Sequence, residues 1–406
     1  MAEAVLQKSY GLMIRDIRLY GLFAAIVIYA CWGTPTPDHA GWPEITIGLL
    51  LVIAVGAGGS FQALDFRRIA GYERTARSLL VYGLSLPVFI GLIAGNSLAG
   101  MVRDIIPFLF LLLPLFLVPL FAGSRKNIKY LTGFVILLGL VFSLRVLLPY
   151  IMDYKTLSDP FYLANSPAVL FTALLLAGLG GLSLYRDLPP PYALKSIFFI
   201  MLALVPLATM ALITQRASIG IVCLTMAGLL AAGFWQKPGR VLIPLLLLAV
   251  IFIVYWPPVM DVMQSLIHKT SLVGFNMRWQ EARAVLEEVD DSFLTVLFGK
   301  GWGATVLSPA AGGVVVNFTH NLLTTFWLKT GMVGVCFVMV YLGQTGFLLL
   351  RCFLKNPVIA LALAGPLIID ILLYASFKSL DFGLLLLLIV LWADLLQKTP
   401  DYSMQE

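Results

Sequence analysis

Charged residues are scarce in this chain. Only 12% of its 406 residues are Asp, Glu, Lys or Arg, about half the share of a typical soluble domain. Histidine is scarcer still, with three copies: His39, His268 and His320. A soluble globular fold is therefore excluded, and the few polar side chains inside apolar stretches become the candidates for chemistry.

Several chemical signatures are also missing. The sequence has no H-E-x-x-H motif, no Cys/His cluster, no D-x-D pair, no P-loop and no dinucleotide fingerprint. Glu288 and Asp290 form an E-x-D pair that could bind a hard cation, but the better interpretation is a solvated helix end. We therefore expect no metal and no cofactor. The sequence pI of 9.1 does not indicate nucleic acid, because most basic residues lie in short loops, as membrane topology requires.

Apolar residues make up 60% of the chain, and the mean hydropathy is +0.95. They form long runs that could each cross a hydrocarbon core about 30 Å thick. The predicted spans are 19–34, 43–60, 79–96, 105–123, 130–150, 165–184, 195–214, 219–235, 241–257, 320–350, 358–375 and 382–397. The prediction is an all-α polytopic membrane protein with twelve transmembrane helices.

Basic residues orient these spans. With the N-terminus in the cytoplasm, most of the 27 lysines and arginines fall on the cytoplasmic side. An even number of spans then places both termini in the cytoplasm. Residues 258–319 form the single long loop, which lies on the outer side. It separates the predicted transmembrane helices of residues 1–257 from those of residues 320–406.

That long loop is where we expect function, because sites concentrate in loops on a rigid scaffold. "FNMRWQEARAVLEEV" (275–289) predicts an amphipathic helix that Asn276 can cap. Its apolar side is predicted to comprise Met277, Ala284, Val285 and Leu286. The glycine-rich "LFGKGWGATVLSPAAGGVVVNF" that follows is predicted to be irregular.

Three separate stretches of the chain each place a polar side chain at the outer face, two of them an arginine and one a histidine. Arg216 is predicted at the outer end of the seventh span, Arg278 heads the loop helix, and His320 begins the tenth span. The planar guanidinium fork suits phosphate oxygens, and histidine suits proton abstraction near neutral pH. Each residue alone has an ordinary interpretation as a snorkelling or exposed side chain, so the hypothesis depends on all three together.

Three further charges lie in apolar runs. Arg145, near the outer end of the fifth span, is either a third diphosphate contact or part of an ion pair with a neighbouring helix. Lys329 lies about 13 Å beyond His320 on a straight helix and points away from it. Asp370 reaches a similar depth, so we predict a structural Lys329–Asp370 pair.

At His320 the sequence resembles a known family. "HNLLTTFWLKTGMVG" has the spacing His-Asn, nine residues, Gly-x-x-Gly, which is similar to the signature of bacterial O-antigen ligases in the O-antigen ligase/polymerase superfamily. "NMRWQEARAVLEEVDDSFLTVLFGKGWG" is similar to the Arg-Trp, helix and Gly-x-Gly stretch upstream of it. The resemblance is sharp over 276–334 and otherwise rests on architecture.

The resemblance implies a GT-C-like membrane glycosyltransferase of lipopolysaccharide biosynthesis in the bacterial inner membrane. Without a metal and with inversion, it would transfer O-antigen from undecaprenyl diphosphate to lipid A–core at the periplasmic face. By analogy His320 would be the base and Arg216 and Arg278 would hold the diphosphate, while Asn321 and Trp279 are further substrate-site candidates.

One departure from the family and three alternatives remain. The family often has Arg-x-x-x-Leu at the end of this span, whereas Gly220 follows Arg216 at that spacing, so Arg145 could share its role. An O-antigen polymerase or a protein O-oligosaccharyltransferase would use a similar donor. A secondary transporter or flippase would also have about twelve spans, but repeats and midplane sites are expected there.

Overall fold

The computed structural model describes residues 2–35, 41–66, 71–121, 123–152, 160–185, 190–236 and 277–398, with four isolated positions between 238 and 264. The described part of the chain is almost entirely α-helical, which confirms the predicted all-α class. Predicted span 241–257, Asn276, His39 and His268 lie outside the described residues.

The helices before the long loop are α1 (Ala2–Cys31), α2 (Trp42–Ala63), α3 (Gly71–Leu84), α4 (Leu86–Ile93), α5 (Leu98–Leu111), α6 (Leu113–Phe121), α7 (Arg125–Met152), α8 (Pro160–Ala164), α9 (Pro167–Tyr185), α10 (Pro190–Leu212) and α11 (Arg216–Gln236). The later elements are α12 (Arg278–Val289), α13 (Phe293–Phe298), β1 (Val306–Ser308), a 3-10 turn (Pro309–Ala311), β2 (Val314–Val316), α14 (Leu322–Lys355), α15 (Pro357–Leu372), a second 3-10 turn (Ala375–Lys378) and α16 (Leu380–Lys398).

Seven of the described helical segments are long and apolar enough to cross a membrane. They become eight if α5 and α6, which bend by 40° at their junction, count as one span. α9 and α15 are apolar but shorter. The chain is thus a multi-pass membrane protein, whereas the predicted count of twelve stays a prediction.

The packed core lies around the last helix. In α16 the side chains from Leu384 to Ile389 are fully buried, and this helix contacts α5, α6, α7, α9 and α14. Asp381, in its first turn, is also buried, and it accepts hydrogen bonds from Tyr29 Oη at 2.9 Å and from the Ala168 amide at 3.1 Å. α16 therefore ties the first helix to α9.

α14 is broken at Gly331, where φ is 66° and ψ is −172°. This backbone conformation interrupts the helical hydrogen bonding at Gly331. The carbonyls of the residues before it must therefore accept hydrogen bonds from other donors. The Lys300 amide donates to Leu328 O at 2.8 Å, and the Gly301 amide donates to Lys329 O at 3.0 Å. The glycine-rich turn 299–303 thus completes the hydrogen bonding of the break.

The long loop differs from its prediction in two ways. Residues predicted to be irregular form an antiparallel hairpin, in which Leu307 pairs with Val315. The loop helix begins at Arg278, and Met277 occupies the preceding cap position without a side-chain cap. Its predicted apolar side is only partly correct: Val285 is buried, but Met277 and Leu286 are exposed.

The predicted Lys329–Asp370 pair is wrong. Lys329 Nζ lies 2.6 Å from Asp104 Oδ2, both side chains are fully buried, and the ammonium also donates to Ala304 O. Asp104 was not considered as a partner because the predicted span began at residue 105, whereas α5 begins at Leu98 and includes Asp104. The prediction that Lys329 belongs to the scaffold agrees with this placement.

Candidate functional site

His320 is held by a buried carboxylate. Glu281 Oε2 accepts from the His320 amide at 2.9 Å, and Glu281 Oε1 lies 3.1 Å from His320 Nδ1. Because an ionised carboxylate only accepts hydrogen bonds, Nδ1 carries the proton and Nε2 is left as the basic nitrogen. Glu281 is 2% exposed, while the His320 side chain keeps 34% of its surface accessible.

The sequence places Glu281 on the buried face of α12. Glu281, Val285 and Val289 recur every four residues, and all three are buried. Ser308 at the end of β1 donates to Glu281 Oε1 at 2.5 Å. Burial raises the pKa of Glu281, while the Ser308 hydrogen bond and the charge of Arg278 oppose that rise.

A threonine network fixes the turn that carries His320. Thr319 is fully buried, and its hydroxyl donates to Asn321 O at 2.9 Å. The Thr325 hydroxyl accepts from the Thr319 amide at 3.1 Å. Asn321 caps α14 by accepting from the Leu323 amide at 2.8 Å. The geometry gives Asn321 a structural role, and its predicted contact with substrate stays a prediction.

Arg278 lies one helical turn before Glu281. Its Nη1 is buried without a hydrogen-bond partner among the described residues. Burial lowers the pKa of Arg278, and the charge of Glu281 opposes this effect. A buried guanidinium nitrogen with unused donors is costly unless an anion or water occupies the adjacent space.

Arg216 approaches the same region from another helix. It is the first residue of α11 and does not end the preceding span as predicted, because the chain turns through Thr214, whose φ is 53°. The Tyr374 side chain interacts electrostatically with both Arg278 and Arg216. Both guanidinium groups therefore lie within electrostatic reach of one phenol.

A small cavity lies beside this group of residues, with room for about one water molecule. Its lining includes Asn165, Ser166, Ser218, Asp370 and Tyr374. Asp370 is 2% exposed, and its Oδ2 has no hydrogen-bond partner in the part of the chain described. The cavity thus joins the first turn of α11 to the segment that follows α15.

The other predicted site residues lie in different surroundings. Arg145 Nη1 donates to Ala30 O at 2.9 Å and to Gly33 O at 2.8 Å, and so it binds the C-terminal end of α1. Trp279 is 79% exposed on α12. Their contacts with substrate stay predictions.

Acidic side chains near the end of α12 pair with one lysine. Lys300 Nζ lies 2.7 Å from Glu288 Oε1 and 2.6 Å from Asp291 Oδ2. These carboxylates raise the pKa of Lys300 against the opposing effect of burial. Within the described ranges there is no group of three or more His, Cys, Asp or Glu residues placed to hold a metal ion.

Sequence reasoning missed Glu281, Ser308 and Tyr374. The sequence did contain a signal for Glu281. On the predicted loop helix it shares a face with Val285 and Val289, so an acidic residue occupies a position where the pattern predicts an apolar one. No comparable pattern marks Ser308 or Tyr374, which become neighbours of the site only through the hairpin and the end of α15.

No protein-family model matches this chain, and no curated protein matches it.

Proposed function

We propose that this protein is an O-antigen ligase. In the proposed reaction it transfers a glycan from undecaprenyl diphosphate to a hydroxyl of lipid A–core, without a metal and with inversion at the anomeric carbon. The observation that supports this most is the pair of buried Glu281 and His320 beside Arg278, whose buried Nη1 has no hydrogen-bond partner in the described part of the chain. The motif resemblance supplies the substrate class.

His320 is the general base in this proposal. Glu281 fixes the ring orientation and stabilises the imidazolium that forms when Nε2 takes the proton of the acceptor hydroxyl. The His320 side chain is one-third accessible, so a hydroxyl can approach it from outside the protein. The acceptor oxygen forms a bond to the anomeric carbon as its proton passes to Nε2.

Arg278 and Arg216 bind the leaving group. The bond between the anomeric carbon and the phosphate oxygen breaks, and its electron pair stays on the diphosphate. Fixed guanidinium groups in a partly desolvated site stabilise this developing charge more strongly than water does. The donor is already activated, so no nucleotide is required.

The proposal includes a topology. Twelve spans with both termini in the cytoplasm would place His320 at the periplasmic face of the bacterial inner membrane. Both substrates are lipid-anchored, so each can reach the site by lateral diffusion.

The test is glycan transfer by purified protein in nanodiscs, with EDTA present. Undecaprenyl-diphosphate glycan is the donor and lipid A–core the acceptor. The variants are His320→Ala and Arg278→Ala, with Arg283→Ala as matched control, because Arg283 lies on the same helix, is 74% exposed and pairs with nearby Glu287. We expect glycosylated lipid A–core from the wild type and from Arg283→Ala, and loss of product in the other two.

Other products identify the alternatives. Longer lipid-linked glycan would indicate a polymerase, and glycosylated Ser or Thr in an added acceptor protein would indicate an oligosaccharyltransferase. Equal transfer by His320→Ala and the wild type would remove His320 from the mechanism. A lack of product with every acceptor, together with glycan-lipid movement across vesicles, would indicate a flippase.

A further inference from the structure

The turn 299–303 is inserted between membrane helices. The Trp302 amide donates to Pro87 O at 3.0 Å, and its indole Nε1 donates to Gly83 O at 2.6 Å. The Gly303 amide donates to Asp104 Oδ2 at 2.5 Å. With the Lys300 and Gly301 amides already bonded to α14, every amide from 300 to 303 has a partner.

Carbonyls of this turn also accept hydrogen bonds from side chains. Asn96 Nδ2 donates to Lys300 O at 3.1 Å and to Trp302 O at 2.8 Å. Irregular backbone is tolerated at membrane depth only where protein satisfies its polar groups. The turn contacts three apolar helical segments through these bonds, and its bonded polar groups meet the requirement for a segment at membrane depth.

The break at Gly331 marks the level of this segment. No charged residue occurs between Gly331 and Arg351, and those 20 residues span about 30 Å at 1.5 Å per residue. That length equals the hydrocarbon thickness. Gly331 therefore lies near one boundary of the hydrocarbon, on the same side as His320.

The short helix α13 is attached at this boundary. A Cβ on Gly331 would lie 2.3 Å from the carbonyl of Leu297 and from the amide of Phe298. α13 has six residues and is about 9 Å long. Phe293 and Leu294, one turn before Leu297 and Phe298, therefore lie within about 9 Å of the hydrocarbon boundary.

The outward face of α13 is apolar and exposed. Phe293 is 76% exposed and Leu294 is 65% exposed. On α14, Met332 just past the break is 43% exposed and Met339 further along is 51% exposed, and on a membrane-spanning helix such side chains face lipid. Asp291, two residues before Phe293, is also exposed, so apolar and acidic side chains adjoin at the N-terminal end of α13, as they do in an element at a membrane interface.

We infer that α13 and the turn 299–303 form an interfacial re-entrant element whose Phe293 and Leu294 contact the acyl chains of membrane phospholipid. α13 is packed against α14 at Gly331, and the partner of its exposed apolar side chains is the bilayer itself. This inference is independent of the proposed reaction. It would also fix the depth of Glu281 and His320, because α12 and the hairpin adjoin this element.

Site-directed spin labelling in phospholipid nanodiscs tests the inference. Single cysteines are placed at Phe293 and Leu294 in a chain whose native Cys31, Cys223, Cys336 and Cys352 are changed to alanine. Controls are Met339→Cys for lipid and Arg283→Cys for water. Collision rates with membrane-soluble oxygen and water-soluble nickel chelate are compared at each site.

We expect both α13 labels to match Met339, with oxygen collisions dominant, whereas the Arg283 label favours the nickel chelate. A nickel-dominated profile at either α13 position would overturn the inference. Each test side chain is exposed and contributes little packing, and the Arg283 and Met339 labels report whether the protein is correctly inserted. Transfer activity is not needed for the measurement, so its result is separate from that of the glycan-transfer test.

Discussion

Glu281 binds His320 at two points, with one carboxylate oxygen on the backbone amide at 2.9 Å and the other 3.1 Å from Nδ1. The two residues are 39 positions apart and come from α12 and the turn before α14. The carboxylate therefore fixes both the position of the residue and the orientation of its ring.

The first prediction concerns Glu281→Gln. A general base contributes about 10²–10⁴-fold, and its orientation is part of that contribution. We expect kcat for glycan transfer to fall at least about tenfold with little change in KM, because the amide does not stabilise the imidazolium. Steady-state kinetics measures this. An unchanged kcat, or a change in KM alone, would contradict the positioning role, and Glu287→Gln on the exposed side of α12 is the control.

The second prediction is the pH dependence of stability. Burial raises the folded-state pKa of Glu281 above its ordinary 4.5. Between the two pKa values the folded protein binds more protons than the unfolded chain, so this group lowers stability as pH rises through that window. Relative to the wild type, the Tm of Glu281→Gln should therefore increase from pH 4 to pH 7. Thermal melts in nanodiscs at both pH values check the sign, and an opposite trend would contradict the assignment.

The third prediction compares two arginines on α12. Arg278→Lys keeps the charge but loses the planar fork, so we expect weaker inhibition of transfer by inorganic pyrophosphate and a higher KM for the donor. Arg283→Lys should leave both quantities unchanged, because Arg283 is exposed. Equal effects of the two substitutions would show that charge near the membrane surface, and not a specific contact, accounts for binding.

How far the sequence predicts this structure depends on the range of the interaction. Eleven of the twelve predicted spans overlap helices, because an apolar run indicates a membrane helix without information about distant residues. The remaining predicted span lies outside the described residues. Residue type and position are enough to make Arg278 and His320 candidates, and their roles stay predictions. The partners Glu281, Ser308 and Asp104 were not, because each meets its neighbour through a contact between distant segments.

Arg216 shows the same limit over a shorter distance. The apolar pattern is continuous on both sides of it, so hydropathy alone places it at the end of one span. The positive φ of Thr214 moves the helix boundary, and Arg216 becomes the first residue of α11. Such a turn has no glycine or proline to announce it in "LITQRAS".

The fourth prediction concerns the buried ion pair. Lys329 and Asp104 are both fully buried, and removal of one member of such a pair costs about 3–5 kcal/mol because the other charge is left uncompensated. Lys329→Met and Asp104→Leu should each lower the Tm substantially, and the double variant should recover part of the loss. A double variant no better than the worse single change would contradict the pairing.

The last prediction concerns Gly331, the residue at the break in α14. Its φ of 66° is unfavourable for any residue with a Cβ, and an added Cβ would lie 2.3 Å from the backbone of α13. Gly331→Ala should therefore lower the free energy of unfolding by more than the roughly 1–3 kcal/mol expected from backbone strain alone. It should also displace the turn 299–303. Gly343 is the matched control on the same helix, since a Cβ there meets nothing within 4 Å. Gly343→Ala should be neutral or stabilising by up to about 1 kcal/mol.

Thermal unfolding compares the stability of the two variants, and protease cleavage within 299–303 shows whether the turn has become exposed. Equal stability would mean that the break is not required. A loss of stability without exposure of the turn would mean that α13 and the turn do not depend on the break for their attachment.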